Sequence, residues 1–245
     1  MSDLTIFGKT FTDVKGIKAT DTDGNEVVYG GGYSIDDIAR NVEPSGEVTI
    51  NTTGISTNAF RNKPITRVHA PRVTWVQAGA FSGSGLTRIE SEDLPLVAEL
   101  IGAFEDAKSL TYVKLTSAIS KFGYSFRNCT NLEEAYFPNS VGDIDRVCYG
   151  CTKLTVMDCG SGKISHTSAF YNCNSLRTLV LRKKDGVQTL ASWSKNCLGG
   201  IYSNPSESEI YVPSALIASY QADSKWSLAY NAGVTFKPIE GSEYE

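Results

Sequence analysis

Apolar residues recur along this chain in short runs of one design. Ile65-x-x-Val68, Leu86-x-x-Ile89, Leu110-x-x-Val113-x-Leu115, Leu132-x-x-Ala135-x-Phe137, Leu154-x-x-Met157-x-Cys159 and Leu176-x-x-Leu179-x-Leu181 each hold two or three apolar residues at fixed offsets, with polar residues between them. Alternation of this kind predicts a short strand with one buried face. Five or six residues before each run stands an anchor in a sequence such as Ala80-Phe81-Ser82-Gly83 or Ser125-Phe126-Arg127-Asn128. The anchors Phe60, Phe81, Phe104, Phe126, Cys148 and Phe170 are 21, 23, 22, 22 and 22 residues apart, and a degenerate unit follows at Ser194–Cys197, 24 residues on. A coil of ~22 residues cannot bury its own apolar face, so the period predicts stacked coils sharing one core, a solenoid. In this arrangement the Phe anchors form a stacked core column opposite the strands. Pro71, Pro138 and Pro213 come just past strands, where they end the ladder.

The repeated pattern A-F-x-N-C-x-x-L-x-x-V-x-L is clearest at Phe126-Arg127-Asn128-Cys129-Thr130-Asn131-Leu132 and Phe170-Tyr171-Asn172-Cys173-Asn174-Ser175-Leu176. It resembles the BspA-like, or Treponema pallidum-type, leucine-rich repeats over residues 55 to 200. Cys148 and Ser194 depart from the family pattern at the anchor, as do Lys63, Ser84 and Ala107 where later coils carry Cys. The resemblance implies an α/β or mainly β fold: a right-handed array of coils with a parallel sheet, used for adhesion and protein–protein binding, and without catalysis.

Three segments follow from this reading: a small β-rich adaptor or N-cap over 1–50, the repeats over 51–207, and a C-terminal strand-helix-strand cap over 208–245. In the last, Ser214 is expected to N-cap a helix bearing Leu216, Ile217 and Tyr220, and Trp226 to plug the final coil. In the first, Leu4–Phe7, Ile17–Thr20 and Glu26–Tyr29 read as strands, the second and third joined by a turn at 21–25. Asp21, Asp23 and Asn25 imitate the opening of a calcium loop, but Gly32 stands where the bidentate acid belongs, which favours a plain turn. Gly30–Gly32 reads as a flexible joint and Ser34–Arg40 as a short helix or turn. The string from Leu4 to Tyr29 is similar to the starts of phage and prophage tail-region proteins of gut Firmicutes. That likeness implies an adaptor docking the repeats on a tail or baseplate.

Period two along the strands sets two outward columns. One holds Arg67, Arg88, Tyr112, Glu134, Val156, Thr178 and Tyr211 or its neighbour; the other holds His69, Glu90, Lys114, Tyr136, Asp158 and Val180. Exposed Tyr and Arg are enriched at binding hot spots, so Tyr112, Tyr136, Arg67, Arg88, Lys114 and Glu134 are the candidate partner-binding residues.

Composition adds mainly exclusions. The 245 residues are 41% hydrophobic and 20% charged, with a formal charge of −4, which gives no general attraction to nucleic acid. No stretch approaches the ~18 apolar residues of a membrane span, and the first twenty residues hold no apolar block of a secretory signal. The expected location is a virion or prophage particle, otherwise the cytoplasm, or outside the cell if a leader was removed. Cys129, Cys151, Cys173 and Cys197 are expected to stack as a column of small buried residues, with a disulfide or a zinc site at Cys148-x-x-Cys151 as weaker alternatives. His69 and His166 lie 97 residues apart, and Glu133-Glu134 and Asp143-x-Asp145 are ordinary surface carboxylates, so no catalytic residue, metal or cofactor is expected. The expected function is a non-enzymatic binding module that meets a protein or glycan on a bacterial cell surface. An intracellular protein–protein scaffold is the second reading and a carbohydrate-active enzyme the third. Oligomerisation is open, and no coiled-coil heptads enforce it.

Overall fold

The computed structural model describes residues 47–50, 52–137 and 142–245, together with the backbone of residues 3–6, 9–12, 17–20, 26–29 and 46. Four short strands, β1 (Asp3–Ile6), β2 (Lys9–Thr12), β3 (Ile17–Thr20) and β4 (Glu26–Tyr29), form an antiparallel meander. Of these, β2 is not among the strands expected from the sequence. The pairing of β3 with β4 is the expected hairpin, while its turn at 21–25, the Gly30–Gly32 joint, the 34–40 segment and Pro138 lie outside the described residues. Strand β5 (Gly46–Ile50) pairs antiparallel with β1 and parallel with β7 (Ile65–His69), so the meander runs directly into the first coil.

From there the chain winds through two further sheets, both parallel. One holds β6 (Gly54–Ile55), β8 (Trp75–Val76), β10 (Glu99–Ile101) and β12 (Lys121–Gly123) in the order β12-β10-β8-β6. The other is seven-stranded: β9 (Arg88–Ile89), β11 (Tyr112–Lys114), β13 (Glu134–Tyr136), β14 (Val156–Asp158), β15 (Thr178–Val180), β16 (Glu209–Val212) and β17 (Thr235–Pro238) lie in sequence order. This is the expected leucine-rich-repeat solenoid: five of the six predicted runs form β9, β11, β13, β14 and β15 of the β9–β17 ladder, while Ile65–Val68 lies in β7, in the sheet with the meander. The ladder's inward residues Ile89, Val113, Ala135, Met157, Leu179 and Ile210 are all fully buried.

The anchors stack as the period required. Phe60, Phe81, Phe104 and Phe126 form a column of near-parallel rings with centroids 5.2, 5.1 and 5.2 Å apart, and each is at most 1% exposed. Their backbones are tied coil to coil, Phe60, Phe81, Phe104 and Phe126 donating to the carbonyls of Ala80, Ala103, Ser125 and Val147. Two residues past each anchor from Phe60 to Phe170 the chain turns through the left-handed region, at Asn62, Gly83, Asp106, Asn128, Gly150 and Asn172. Gly, Asn and Asp tolerate positive φ best, which is why these types alternate there.

The cysteine column also forms. The thiols of Cys129, Cys151 and Cys173 donate to the carbonyls of Phe104, Phe126 and Cys148 at 3.2, 3.0 and 2.9 Å, and burial pushes all three thiols up. Cys197 departs from the column. Phe170 donates to Cys197 O as Phe126 does to Val147 O, so Leu198, not Ser194, follows at the anchor position. Ser194 instead caps α1 (Lys195–Ser203), accepting from Cys197 N–H.

Ser84, two coils before the first cysteine of the column, is 2% exposed and its Oγ has no partner. A buried hydroxyl without a partner costs roughly 1–3 kcal/mol of desolvation. Ser84→Ala, which copies Ala107 of the next coil, should therefore raise unfolding stability by about 1 kcal/mol in urea titration. Unchanged or lower stability would show that the hydroxyl is satisfied by a buried water.

At the far end, α2 (Ile217–Ala222) and α3 (Trp226–Asn231) close the last coil between β16 and β17. Trp226 and Tyr220 are fully buried, and Gln188 ties both down, its carbonyl accepting from Trp226 Nε1 at 2.7 Å and its N–H donating to Tyr220 Oη at 2.9 Å. Trp226 thus plugs the solenoid as expected. Ser214 does not cap a helix with its side chain; it opens a 3-10 turn, and its N–H donates to Glu240.

Candidate functional site

The outward columns of the β9–β17 ladder are set by its register. Arg88, Tyr112, Glu134, Val156, Thr178 and Glu209 are neighbours in one; Lys114, Tyr136, Asp158, Val180 and Tyr211 in the other. Tyr211 thus belongs to the second column, and Glu209 takes the place expected for it in the first. A second correction concerns exposure. Asp158 and Val180 are fully buried, because residues 239–245 fold back over the end of the ladder. Val180, Tyr211 and Ile239 form a small apolar cluster against Tyr244, whose ring meets Tyr211 edge-on at 4.6 Å.

Between this tail and the middle of the ladder lies a cleft of about 280 Å³. Tyr112, Lys114 and Tyr136 form its floor on one side, the Asp158–Arg182 pair on the other, and Glu243–Glu245 its wall. The two tyrosine rings are 5.7 Å apart and tilted by 45°. The Arg88 guanidinium lies over the Tyr112 ring at 4.2 Å and is held there by Glu90. Tyr136 donates its hydroxyl to Glu134 at 2.9 Å; burial first and that carboxylate second hold the phenol well above the ordinary tyrosine range. Tyr112 is also raised, by burial and then by Glu90. Both phenols are therefore neutral hydrogen-bonding groups at physiological pH.

Asp158 is the one charged side chain buried in this cleft. Its Oδ2 accepts from Arg182 Nε at 2.7 Å and its Oδ1 from Gly160 N–H at 2.8 Å, yet burial still raises its carboxyl above the usual range. Arg182 spends a second donor on the Tyr244 carbonyl at 2.5 Å, so one guanidinium ties the ladder to the tail.

Of the candidate residues, Tyr112, Lys114, Glu134, Tyr136 and Arg88 come together in or beside this cleft. Arg67 stands apart on β7, its guanidinium bound to Asp93 at 3.4 Å and Glu92 at 3.3 Å. Asp158, Arg182 and the tail are not among the residues expected to bind. The run Leu179-Val180-Leu181 held the signal, since three successive apolar residues mean that the outward one is covered as well. Among the described residues no group of His, Cys, Asp and Glu is arranged to hold a metal ion, and no helix is long and apolar enough to cross a membrane.

The family comparison agrees with this architecture. No curated protein matches the chain. A leucine-rich repeat protein from Bacteroides ovatus is similar in structure, at 14% identity and a TM-score of 0.43 over 79% of this chain; the chain spans 54% of that protein. The BspA type leucine rich repeat region matches in 6 copies, over residues 53–177 and 101–197, more than half of the sequence. The chain belongs to the BspA type leucine-rich repeat family.

Proposed function

We propose that this protein is a non-enzymatic adhesion module that grips a protein on a bacterial cell surface through the cleft at Tyr112, Lys114 and Tyr136, and that its N-terminal strands carry it on a phage or prophage tail. The observation that carries the reading is the cleft itself. Two tyrosines, a lysine and a guanidinium stacked on one ring stand together on a rigid ladder, and Tyr and Arg are the types that dominate binding energy at protein interfaces. A protein ligand is favoured by the tail. The far end of the same face already holds a peptide segment, through the Tyr244 ring on Tyr211 and the Tyr244 carbonyl on Arg182. The carrier role rests on the likeness of residues 4–29 to tail-region proteins.

The test is binding of labelled protein to intact cells of a panel of gut bacteria, with the Tyr112→Ala/Tyr136→Ala variant beside it. Saturable, strain-selective binding is expected, weakened at least ~30-fold in the variant if the two rings together contribute about 2 kcal/mol or more. Its Tm should change little, since both rings lie outside the buried core. Undiminished binding by the variant would discard this face. Failure to bind any strain would favour the intracellular scaffold, to be sought by co-purification from the cytoplasm.

A further inference from the structure

A larger cleft, of about 470 Å³, lies on a different side of the solenoid, where β8, β10 and β12 run into the anchor turns. Its volume is within the ~300–1,000 Å³ of small-molecule sites. Its walls are Ile101, Glu105, Tyr124, Arg127, Arg146 and Tyr149, none of them in the ladder cleft.

Backbone conformation sets this place apart from the rest of the array. Two residues before the anchor the coils pass through the left-handed region, at Asn58, Gly79, Gly102, Tyr124 and Arg146. The first three are types that adopt positive φ at little cost; Tyr124 and Arg146, at φ 54° and 52°, are not. Strain of this kind, kept in bulky side chains where the same fold elsewhere uses Gly or Asn, is a mark of functional positions. Both strained side chains line the cleft.

The chemistry of the walls narrows the ligand. Arg127 is paired with Glu105 at 2.9 Å and Arg146 with Asp145 at 2.7 Å, so neither cation is left to attract a phosphate or a free carboxylate. Donors nevertheless remain: a guanidinium carries five N–H groups, and Arg127 is bonded to Glu105 through Nη1 alone. Carboxylate acceptors stand beside them, and Ile101, 48% exposed, adds an apolar surface. The side chains are held in one stacked row, Arg146 over Tyr124 at 4.7 Å, Arg127 5.8 Å from Tyr124 and 5.7 Å from Tyr149, and Tyr149 on Tyr171 at 4.7 Å, which fixes the walls before a ligand arrives. A ligand that both donates and accepts hydrogen bonds, carries no charge and has a C–H face meets all three requirements.

We propose that this cleft is a binding site for a neutral saccharide, independent of the ladder cleft. Isothermal titration of the full chain with neutral trisaccharides of hexose or N-acetylhexosamine, and with a sialylated trisaccharide as charged counterpart, is the test. A neutral trisaccharide should bind, and Tyr124→Asn, which installs the residue type of Asn58, should weaken it at least tenfold while Tm holds or rises. Tyr112→Ala/Tyr136→Ala should leave the saccharide affinity unchanged. The proposal is overturned if no neutral sugar binds, if the sialylated one binds better, or if Tyr124→Asn leaves the affinity intact. It is equally overturned if Tyr124→Asn lowers Tm, which would make that side chain a packing element.

Discussion

Phe104→Ala should destabilise the protein by about 3–5 kcal/mol. Phe104 is fully buried and its ring is stacked on both sides, against Phe81 at 5.1 Å and Phe126 at 5.2 Å. Its loss removes two aromatic contacts, worth roughly 0.5–1.5 kcal/mol each beyond burial, and leaves a cavity between two coils whose backbones are tied together. Phe60, first in the column, has one stacking partner in it and should cost less. Since each coil is stabilised only by its neighbours, a break at Phe104 should also divide the array. Urea titration followed by far-ultraviolet circular dichroism and by tryptophan fluorescence, which reports Trp193 and Trp226 near the C-terminal end as well as Trp75, should then give two midpoints where the parent gives one. A loss below ~1 kcal/mol with coincident transitions would show that the column is filler and the strand ladder alone holds the coils together.

How much of this was legible in the sequence depended on whether a position repeats. The Phe column, the inward strand residues and the cysteines at 129, 151 and 173 recur at the same place in successive coils, so the period alone assigns each of them to the core. The sheet of β6, β8, β10 and β12 was not legible. Its strands are two or three residues long and turn inward one apolar side chain each, among them Val76, Leu100 and Phe122, too few to make an alternation. The slip from Ser194 to Leu198 was hidden for a different reason: the last coil exchanges its turn for a helix, so counting residues from Phe170 loses the register.

The ladder cleft divides the same way. Tyr112, Lys114, Glu134 and Tyr136 follow from period two, which needs only local sequence. Its other wall is made by Glu243–Glu245, which reach β14 across the whole cap, and no local pattern reports such a return. Tyr124 and Arg146 are harder still. Their left-handed backbone is imposed by the coils on either side against their own preference, so residue identity argues for the opposite conformation.

Arg182→Ala should be the most damaging change at the ladder cleft, and its effect should depend on pH. The Asp158 carboxylate is 1% exposed, and besides the Gly160 N–H its close partner is the Arg182 guanidinium. Removing one member of a buried pair strands the other, at about 3–5 kcal/mol. Burial already raises the Asp158 carboxyl above its unfolded value, and Arg182 is the main influence lowering it, so the variant should raise it further. A carboxyl raised on folding binds its proton more tightly in the folded state than in the unfolded one. The variant is therefore nearest to the parent below the unfolded value of about 3.9, and falls behind as pH rises through the raised folded value. Urea titrations at acid and at neutral pH should show a small deficit in the first and the full one in the second. The tail should loosen at the same time, because its Tyr244 carbonyl loses its donor, and amide exchange at 239–245 should quicken. A deficit equal at both pH values would mean that Asp158 stays solvated without Arg182, and that the guanidinium acts only as a strut for the tail.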